Sequence, residues 1–291
     1  MSLIHYRCPK TGTPLTLSAD GNFLHNQSDS EPIQFEIRDG IPDLCFPLEL
    51  FEADRKEQEG YNNAYLRYDR GVSWVFESLN NADETATRQF MVSLLGLKPG
   101  MKVLEVGAGT GKDSALIVEQ ISPGGTAYLS DLSPNMLKLA RQKLHANEVD
   151  IHFFIANASY LPFADETFDA VFHFGGINTF SEVEKAFFEM TRVTKKGGKV
   201  VVGDESVANW LRDEFSYQTL MKANPMFDVE VPLKHLPKNA DNVQLNWIFG
   251  NAFYVLSYTV GAKAPEVNID LPIPGKDFVD TWRIRAEKKN S

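Results

Sequence analysis

Short hydrophobic runs rich in β-branched and aromatic residues recur along the middle of the chain, separated by segments whose apolar residues have helical spacing. Strands that alternate with amphipathic helices are typical of a parallel sheet with helical crossovers. The pattern therefore predicts a doubly wound α/β domain that begins near Lys102. Its predicted strands are Val103–Val106, Thr126–Leu129, Ile151–Ile155, Ala170–Phe174 and Lys199–Val202.

Two helices of this domain have recognisable starting signals. After the second strand, Ser133 can cap the helix through its hydroxyl group, and Pro134 suits the first helical position. A later helix is predicted to open at Ser181, with Glu184 as its partner in a capping box, and to run to about Val193. Both signals place a loop just beyond the end of a strand.

The segments on either side of this regular region have other patterns. Residues 1–47 are rich in Pro, Gly, Asp and Ser around two β-like runs, Leu15–Leu17 and Ile33–Ile37, which predicts a small β-rich appendage. The next segment, to about residue 81, has the spacing of a helical linker. Near the other end, the predicted strands Val243–Phe249 and Phe253–Val260 are close enough to form a hairpin.

Composition narrows the class of protein. The 291 residues are 43% hydrophobic, enough for a sizeable core, yet no apolar run approaches the roughly 20 residues of a membrane helix and no secretory signal pattern begins the chain. A cytoplasmic protein without a membrane span is expected. The net charge of −10 weighs against a nucleic-acid partner, because phosphate contacts need clustered basic residues. Composition leaves the oligomeric state open.

The segment VLEVGAGTGKDS, residues 103–114, places a glycine-rich turn between a predicted strand and a predicted helix. A dinucleotide fingerprint would need its third glycine where Lys112 stands. A phosphate-binding P-loop would need glycine where Val106 stands and Ser or Thr where Asp113 stands. Neither of these two motifs fits.

The same segment, with an acidic residue, an apolar residue and Gly-x-Gly-x-Gly, resembles the first motif of class I S-adenosylmethionine-dependent methyltransferases. The resemblance continues through DLSPNMLKLARQKL (131–144), ANASYLPFADETFDAVF (156–172) and EMTRVTKKGGKVVV (189–202), which look like the motifs of the quinone and sterol methyltransferase-like branch. It implies a Rossmann-like fold with a mostly parallel seven-stranded sheet. It also implies S-adenosylmethionine as cofactor, with S-adenosylhomocysteine as product.

The resemblance assigns cofactor roles to particular residues. Glu105 would help orient the ammonium group of the cofactor, and Asp131 would accept hydrogen bonds from the two ribose hydroxyls. Met136 would lie against the adenine. Asn157 stands where the branch commonly has aspartate, and its carbonyl could still accept from the adenine amino group. The full expected set is Tyr61, Tyr65, Tyr68, Glu105, Gly107, Ala108, Gly109, Gly111, Asp131, Leu132, Met136, Asn157, Ala158, His173, Phe174 and Gly175.

Several of these residues also have plain structural explanations. Asp131 could cap the helix that follows it, and Asn157 could stabilise a turn. The three tyrosines fall on one helix face, either as part of a cover over the cofactor or as an ordinary aromatic stripe. The sequence alone leaves these alternatives open.

Candidate catalytic residues follow the fourth and fifth strands, because ligands of open α/β sheets bind beyond the carboxyl ends of strands. His173 is the first candidate for a general base, with a packed core histidine as the alternative. Asn178 could orient an oxygen atom of the substrate. Glu205, next to Asp204, is a second candidate base. The alternative is that the two acids are simply solvated at the end of the strand or cap a helix.

The first 47 residues contain YRCPKTGTPL (6–15) and FEIRDGIPDL (35–44), which resemble the zinc-ribbon-like module that precedes some ribosomal RNA guanine methyltransferases. A structural zinc site needs four ligands, and Thr11 stands where a partner of Cys8 is needed. Cys45, His5 and His25 offer at most a makeshift site, so no metal is expected. The module is also acidic: residues 1–60 contain eleven acidic and five basic residues.

We therefore predict methyl transfer from S-adenosylmethionine to a small, hydrophobic acceptor whose reacting atom (O, N or C) is left open. An RNA base methyltransferase and a non-catalytic S-adenosylmethionine-binding protein remain alternatives. The predicted parts are a β-rich module (1–47), a helical linker and cofactor cover (48–100), the methyltransferase domain (101–263) with a substrate lid at about 206–241, and a C-terminal extension (264–291). The apolar residues of the lid are Met221, Met226, Phe227, Leu233 and Leu236.

Overall fold

The computed structural model describes residues 6–26, 32–78, 83–144, 148–274 and 281–287, and side chains in these ranges except 69–78. His5, one of the two histidines considered as zinc ligands, lies outside the described residues. The described residues form two sheets. The smaller one is antiparallel and has the strand order β1-β2-β3-β4; its strands are β1 Leu15–Leu17, β2 Phe23–Asn26, β3 Gln34–Arg38 and β4 Ile41–Pro42.

The larger sheet confirms the predicted fold. Its strands are β5 Lys102–Val106, β6 Thr126–Asp131, β7 Asp150–Ile155, β8 Phe168–Phe174, β9 Thr194–Glu205, β10 Ala240–Ile248 and β11 Phe253–Val260. The order across the sheet is β10-β11-β9-β8-β5-β6-β7, with parallel pairs from β9 to β7. The last two strands form the predicted hairpin, which adds to β9 in antiparallel fashion.

Helices cover both faces of this sheet, as a doubly wound fold requires. The helices are α1 Glu52–Ser78, α2 Glu84–Ser93, α3 Lys112–Ile121, α4 Pro134–Lys143, α5 Val183–Val193, α6 Phe215–Ala223 and α7 Trp282–Glu287. One hydrophobic cluster joins the sheet to α2, α3 and α4, and the other joins its opposite face to α5 and to the small sheet. No helix within the described ranges is both long and apolar enough to cross a membrane.

The two predicted helix starts have different outcomes. Ser133 caps α4, since its hydroxyl group accepts from the backbone N–H of Met136 at 3.3 Å, and Pro134 is the first helical residue. The predicted capping box at Ser181 is wrong, because α5 begins at Val183 without a side-chain cap. Instead the backbone N–H of Ser181 donates to the Asp54 carboxylate of α1 at 3.0 Å. Ser181 therefore interacts with Asp54, which is distant in the sequence, and not with Glu184 of α5.

The N-terminal module packs against the edge strand β7 and shares its core with the main domain. The backbone N–H of Leu44 donates to the carbonyl of Ile155 at 2.8 Å, and Arg7 donates likewise to Pro162 at 2.9 Å. Tyr6 lies among aromatic side chains of the main domain, with ring centroids 5.5 Å from those of Phe154 and Phe163. The module is therefore a packed part of the fold.

Tyr6 provides a test of this packing. Tyr6→Ala should lower the free energy of unfolding by about 3 to 5 kcal/mol, because it removes a 2% exposed ring from an aromatic cluster. Tyr6→Phe should cause no loss, since the hydroxyl group has no hydrogen-bond partner among the described residues. Urea unfolding of both variants would measure the difference. Equal stability of Tyr6→Ala and wild type would contradict the shared core.

Candidate cofactor site

A narrow cavity opens at the carboxyl ends of β5, β6 and β8, and α1 closes one side of it. Its volume is about 70 Å³, well below the roughly 300 Å³ at which small-molecule sites begin. The cavity as it stands is therefore smaller than a ligand of cofactor size. The lining residues are Asp54, Glu57, Gln58, Tyr61, Val106, Gly107, Asp131, Leu132, Ser133, Ala156, Asn157, Ala158, His173, Gly175 and Phe180.

The glycine turn after β5 brings bare backbone to this cavity. Gly107 has a φ of +70°, which favours glycine, and a Cβ atom added there would lie 3.2 Å from Nδ1 of His173. Gly111 has a φ of +85° at the start of α3, where a Cβ atom would come within 3.2 Å of Ala140. The turn thus combines a close approach to the cavity with tight packing of α3 against α4.

Asp131 joins the end of β6 to two neighbouring loops. Its carboxylate accepts from the backbone N–H of Gly109 at 2.9 Å and from that of Ser133 at 2.8 Å. Burial raises the pKa of Asp131 to about 6, although these two hydrogen bonds act in the opposite direction. Each carboxylate oxygen can accept a further hydrogen bond, and the side chain lines the cavity. Asp131 thus both organises the turn and offers acceptors to a ligand.

Glu105 lies one layer behind the cavity. It is 2% exposed, accepts from the hydroxyl group of Ser114 at 2.5 Å, and is not among the cavity-lining residues. Burial, with the nearby Asp113 carboxylate, holds the pKa of Glu105 well above its ordinary value. Asp113 in turn pairs with Arg88 of α2 at 2.5 Å. The predicted contact of Glu105 with the cofactor ammonium stays a prediction.

His173 has the geometry of a neutral imidazole with one basic nitrogen. Its Nδ1 lies 2.8 Å from the carbonyl of Val106, so Nδ1 carries the proton and donates. Burial lowers the pKa of the ring, which favours this neutral form. The buried Nε2 has no hydrogen-bond partner within the described chain, and the side chain lines the cavity. This nitrogen can accept a proton.

An acidic rim follows β9. Asp204 is fully buried and accepts from the backbone N–H groups of Gly176 at 3.1 Å and Asn178 at 2.7 Å. The Asn178 side chain donates to the carbonyl of Glu205 at 2.6 Å. Burial and the neighbouring Asp204 carboxylate raise the pKa of Glu205 to about 10. Glu205 therefore carries a proton at neutral pH.

The structure brings about half of the residues expected from the sequence into one cavity. The expected residues that line it are Tyr61, Gly107, Asp131, Leu132, Asn157, Ala158, His173 and Gly175. The others lie around it without lining it: Tyr65, Tyr68, Glu105, Ala108, Gly109, Gly111, Met136, Phe174, Asn178 and Glu205. Their assignment to the cofactor or to catalysis stays a prediction.

Three further lining residues, Asp54, Glu57 and Gln58, come from the first turns of α1 and were missed from the sequence. With Tyr61 they stand at i, i+3, i+4 and i+7, so a polar stripe at helical spacing was an available signal. Polar faces of helices usually contact solvent, which is why the stripe attracted no prediction.

The apolar side chains expected in a lid at 206–241 do not line the cavity. Phe227 instead packs on β11, with its ring centroid 5.4 Å from that of Phe253. In the N-terminal module, Cys8 and Cys45 are free thiols, and Nε2 of His25 contacts the Thr16 hydroxyl group at 3.1 Å. The described residues include no group of three His, Cys, Asp or Glu arranged to hold a metal ion.

The fold, the glycine turn and Asp131 at the end of the next strand define the class: a class I S-adenosylmethionine-dependent methyltransferase. A family model described as the ubiE/COQ5 methyltransferase family matches residues 52–228. The chain belongs to this family.

Two curated relatives give the range of similarity. The ubiquinone/menaquinone biosynthesis C-methyltransferase UbiE of Bordetella parapertussis is 32% identical over 154 residues, covering 52% of this chain and 58% of that protein. A demethylmenaquinone methyltransferase of Renibacterium salmoninarum is 41% identical over 120 residues, covering 41% of this chain and 47% of that protein. The chain thus spans about half the length of these relatives.

Among solved structures, phosphoethanolamine N-methyltransferase 2 of Haemonchus contortus, in complex with S-adenosylmethionine, matches with a TM-score of 0.56. The match has 15% identity and covers 76% of this chain and 62% of that chain. At this identity the likeness concerns the fold alone.

The raised pKa of Asp131 predicts pH-dependent cofactor binding. In its expected role, the ionised carboxylate of Asp131 would accept from the ribose hydroxyls, and this form is lost as the pH falls through about 6. The Kd for S-adenosylhomocysteine should therefore rise about 10-fold from pH 7 to pH 5. Calorimetric titration at several pH values would measure it. In Asp131→Asn, binding should be weaker at pH 7 and independent of pH over this range; an equally steep profile in that variant would refute the assignment.

Proposed function

We propose that the protein transfers the methyl group of S-adenosylmethionine to a ring carbon of a small, quinol-type acceptor. The observation that carries the proposal is the buried Nε2 of His173, which has no hydrogen-bond partner among the described residues, on a side chain that lines the cavity together with Gly107. The ubiE/COQ5 family match and the quinone substrates named for the two curated relatives support the acceptor class. They favour it over RNA, as does the net charge of −10.

The residues of the cavity fit this cofactor chemically. Successive strand ends along the sheet present the glycine turn after β5, the Asp131 carboxylate after β6 and Asn157 after β7. The cofactor has the same succession of parts: an amino-acid end, a ribose and an adenine. We assign Gly107 to the first, Asp131 to the second, and Leu132 with Ala158 to the faces of the third.

When bound, the cofactor supplies an electrophilic methyl group on a sulfonium. The protein must align the acceptor and take up the proton that the acceptor loses. Neutral His173 can accept that proton at Nε2, while Nδ1 keeps its hydrogen bond to Val106. Tyr61 and Phe180 line the same cavity and would exclude water from it. The protonated Glu205 and Asn178 at the rim are suited to orient acceptor oxygens rather than to act as bases.

The direct test is transfer of a tritiated methyl group from S-adenosylmethionine to reduced demethylmenaquinone with a short side chain. The expected product is methylated on the ring carbon, with one S-adenosylhomocysteine formed per methyl group transferred. The oxidised quinone is the matched control, because it has no hydroxyl proton for His173 to take. Cofactor binding without transfer to any quinol would favour the non-catalytic alternative, and transfer to RNA in preference to quinol would favour the RNA alternative.

His173→Asn tests the proton acceptor. Asparagine can still donate to the carbonyl of Val106 but has no basic nitrogen, so kcat should fall about 100- to 10,000-fold. The Kd for S-adenosylhomocysteine should change less than the kcat does. Steady-state kinetics and calorimetry on the same preparation would separate the two effects. An unchanged kcat would exclude His173 as the base.

A further inference from the structure

Asp54 is a buried carboxylate inside the cavity that the proposed chemistry does not use. It stands in the first turn of α1, is 4% exposed and lines the cavity. One oxygen accepts from the backbone N–H of Ser181 at 3.0 Å, and the other accepts from the side-chain amide of Asn157 at 3.3 Å. Within the described ranges, Asp54 forms no ion pair. A buried carboxylate with two neutral donors can accept more hydrogen bonds.

The position of Asp54 along the cavity indicates which part of the cofactor it would face. Its partner Asn157 follows β7, the third strand end in the succession β5, β6, β7. Adjacent strands lie about 4.8 Å apart, so this end is about 10 Å from the glycine turn. With the amino-acid end at Gly107 and the ribose at Asp131, the adenine falls beside Asn157 and Asp54.

The side chain of Asn157 is occupied at both ends. Its Oδ1 accepts from the backbone N–H of Ser159 at 2.9 Å, and its Nδ2 donates to Asp54. Asn157 therefore holds Asp54 in place, and the Asp54 carboxylate, whose two oxygen atoms each accept only one hydrogen bond, is the stronger acceptor for a ligand. A carboxylate recognises a hydrogen-bond donor. The exocyclic amino group of adenine is such a donor.

We infer that Asp54 recognises the exocyclic amino group of the cofactor adenine, with Asn157 as its positioning residue. This inference rests on the proposed function, since it requires the cofactor in this cavity. It gives α1 a role beyond covering the site: the helix supplies the group that distinguishes adenine from other bases. Docking of α1 and recognition of the base then depend on the same carboxylate.

The test compares S-adenosylhomocysteine with its purine analogue that lacks only the 6-amino group. Wild type should bind S-adenosylhomocysteine about 10- to 100-fold more tightly, the effect expected of a hydrogen bond to a charged acceptor. In Asp54→Asn this ratio should fall to near 1, mainly through weaker binding of S-adenosylhomocysteine. Glu57→Gln is the matched control, since it removes a carboxylate from the same helix and cavity and should leave the ratio unchanged.

The outcomes separate the two proposals. Wild type that binds both ligands equally, or an Asp54→Asn variant that keeps the full ratio, overturns the role of Asp54 and leaves the proposed function intact. A folded wild type that binds neither ligand overturns both. Equal binding of the two ligands by wild type would overturn the role of Asp54 without any variant, and so even if Asp54→Asn does not fold.

Discussion

Buried carboxylates at the carboxyl edge of the main sheet are the constraint around which this site is built. Removing a carboxylate from water is costly unless hydrogen bonds replace the lost hydration. Asp131 obtains them from the backbone of the glycine turn and of the α4 start, and Asp204 obtains them from the turn after β8. The loops that line the cavity are therefore held in shape by backbone hydrogen bonds to these carboxylates. Substitution of one of these acids should shift the loop backbone as well as remove a charge.

The buried acids around the cavity differ in their surroundings. Asp204 has backbone donors, whereas the adjacent Glu205 is buried next to that carboxylate, so its pKa lies near 10. Glu105 is similarly raised by burial. A cationic cofactor would lower such pKa values by favouring the charged forms. Several carboxyl groups close to the cavity thus favour a positively charged ligand, which suits a sulfonium.

The fold could be predicted from the sequence nearly in full. Strands and amphipathic helices each have a characteristic hydrophobic period, and the glycine motif has a characteristic spacing, so both can be recognised from neighbouring residues alone. Asp131 and His173 were found for the same reason, since both end strands of that pattern. Asp54 was missed because its role depends on Ser181, 127 residues away in the chain, and on Asn157, 103 residues away. The capping box at Ser181 failed through the same contact. Signals read from neighbouring residues in the sequence do not include hydrogen-bond partners that are brought close only by the tertiary structure.

The N-terminal module bears on the site through its last residues. Leu44 is hydrogen-bonded to the end of β7, and burial together with the nearby Asp43 and Asp54 carboxylates raises the pKa of the Cys45 thiol. The chain that leaves the module therefore runs beside Asn157 and enters α1 a few residues later. Asp54 lies in the first turn of α1, so the module fixes the backbone shortly before the residue that we infer to recognise the base. Packing of the module against β7 and the two hydrogen bonds of Asp54 therefore act together to hold this carboxylate at the end of the cavity to which the adenine is assigned.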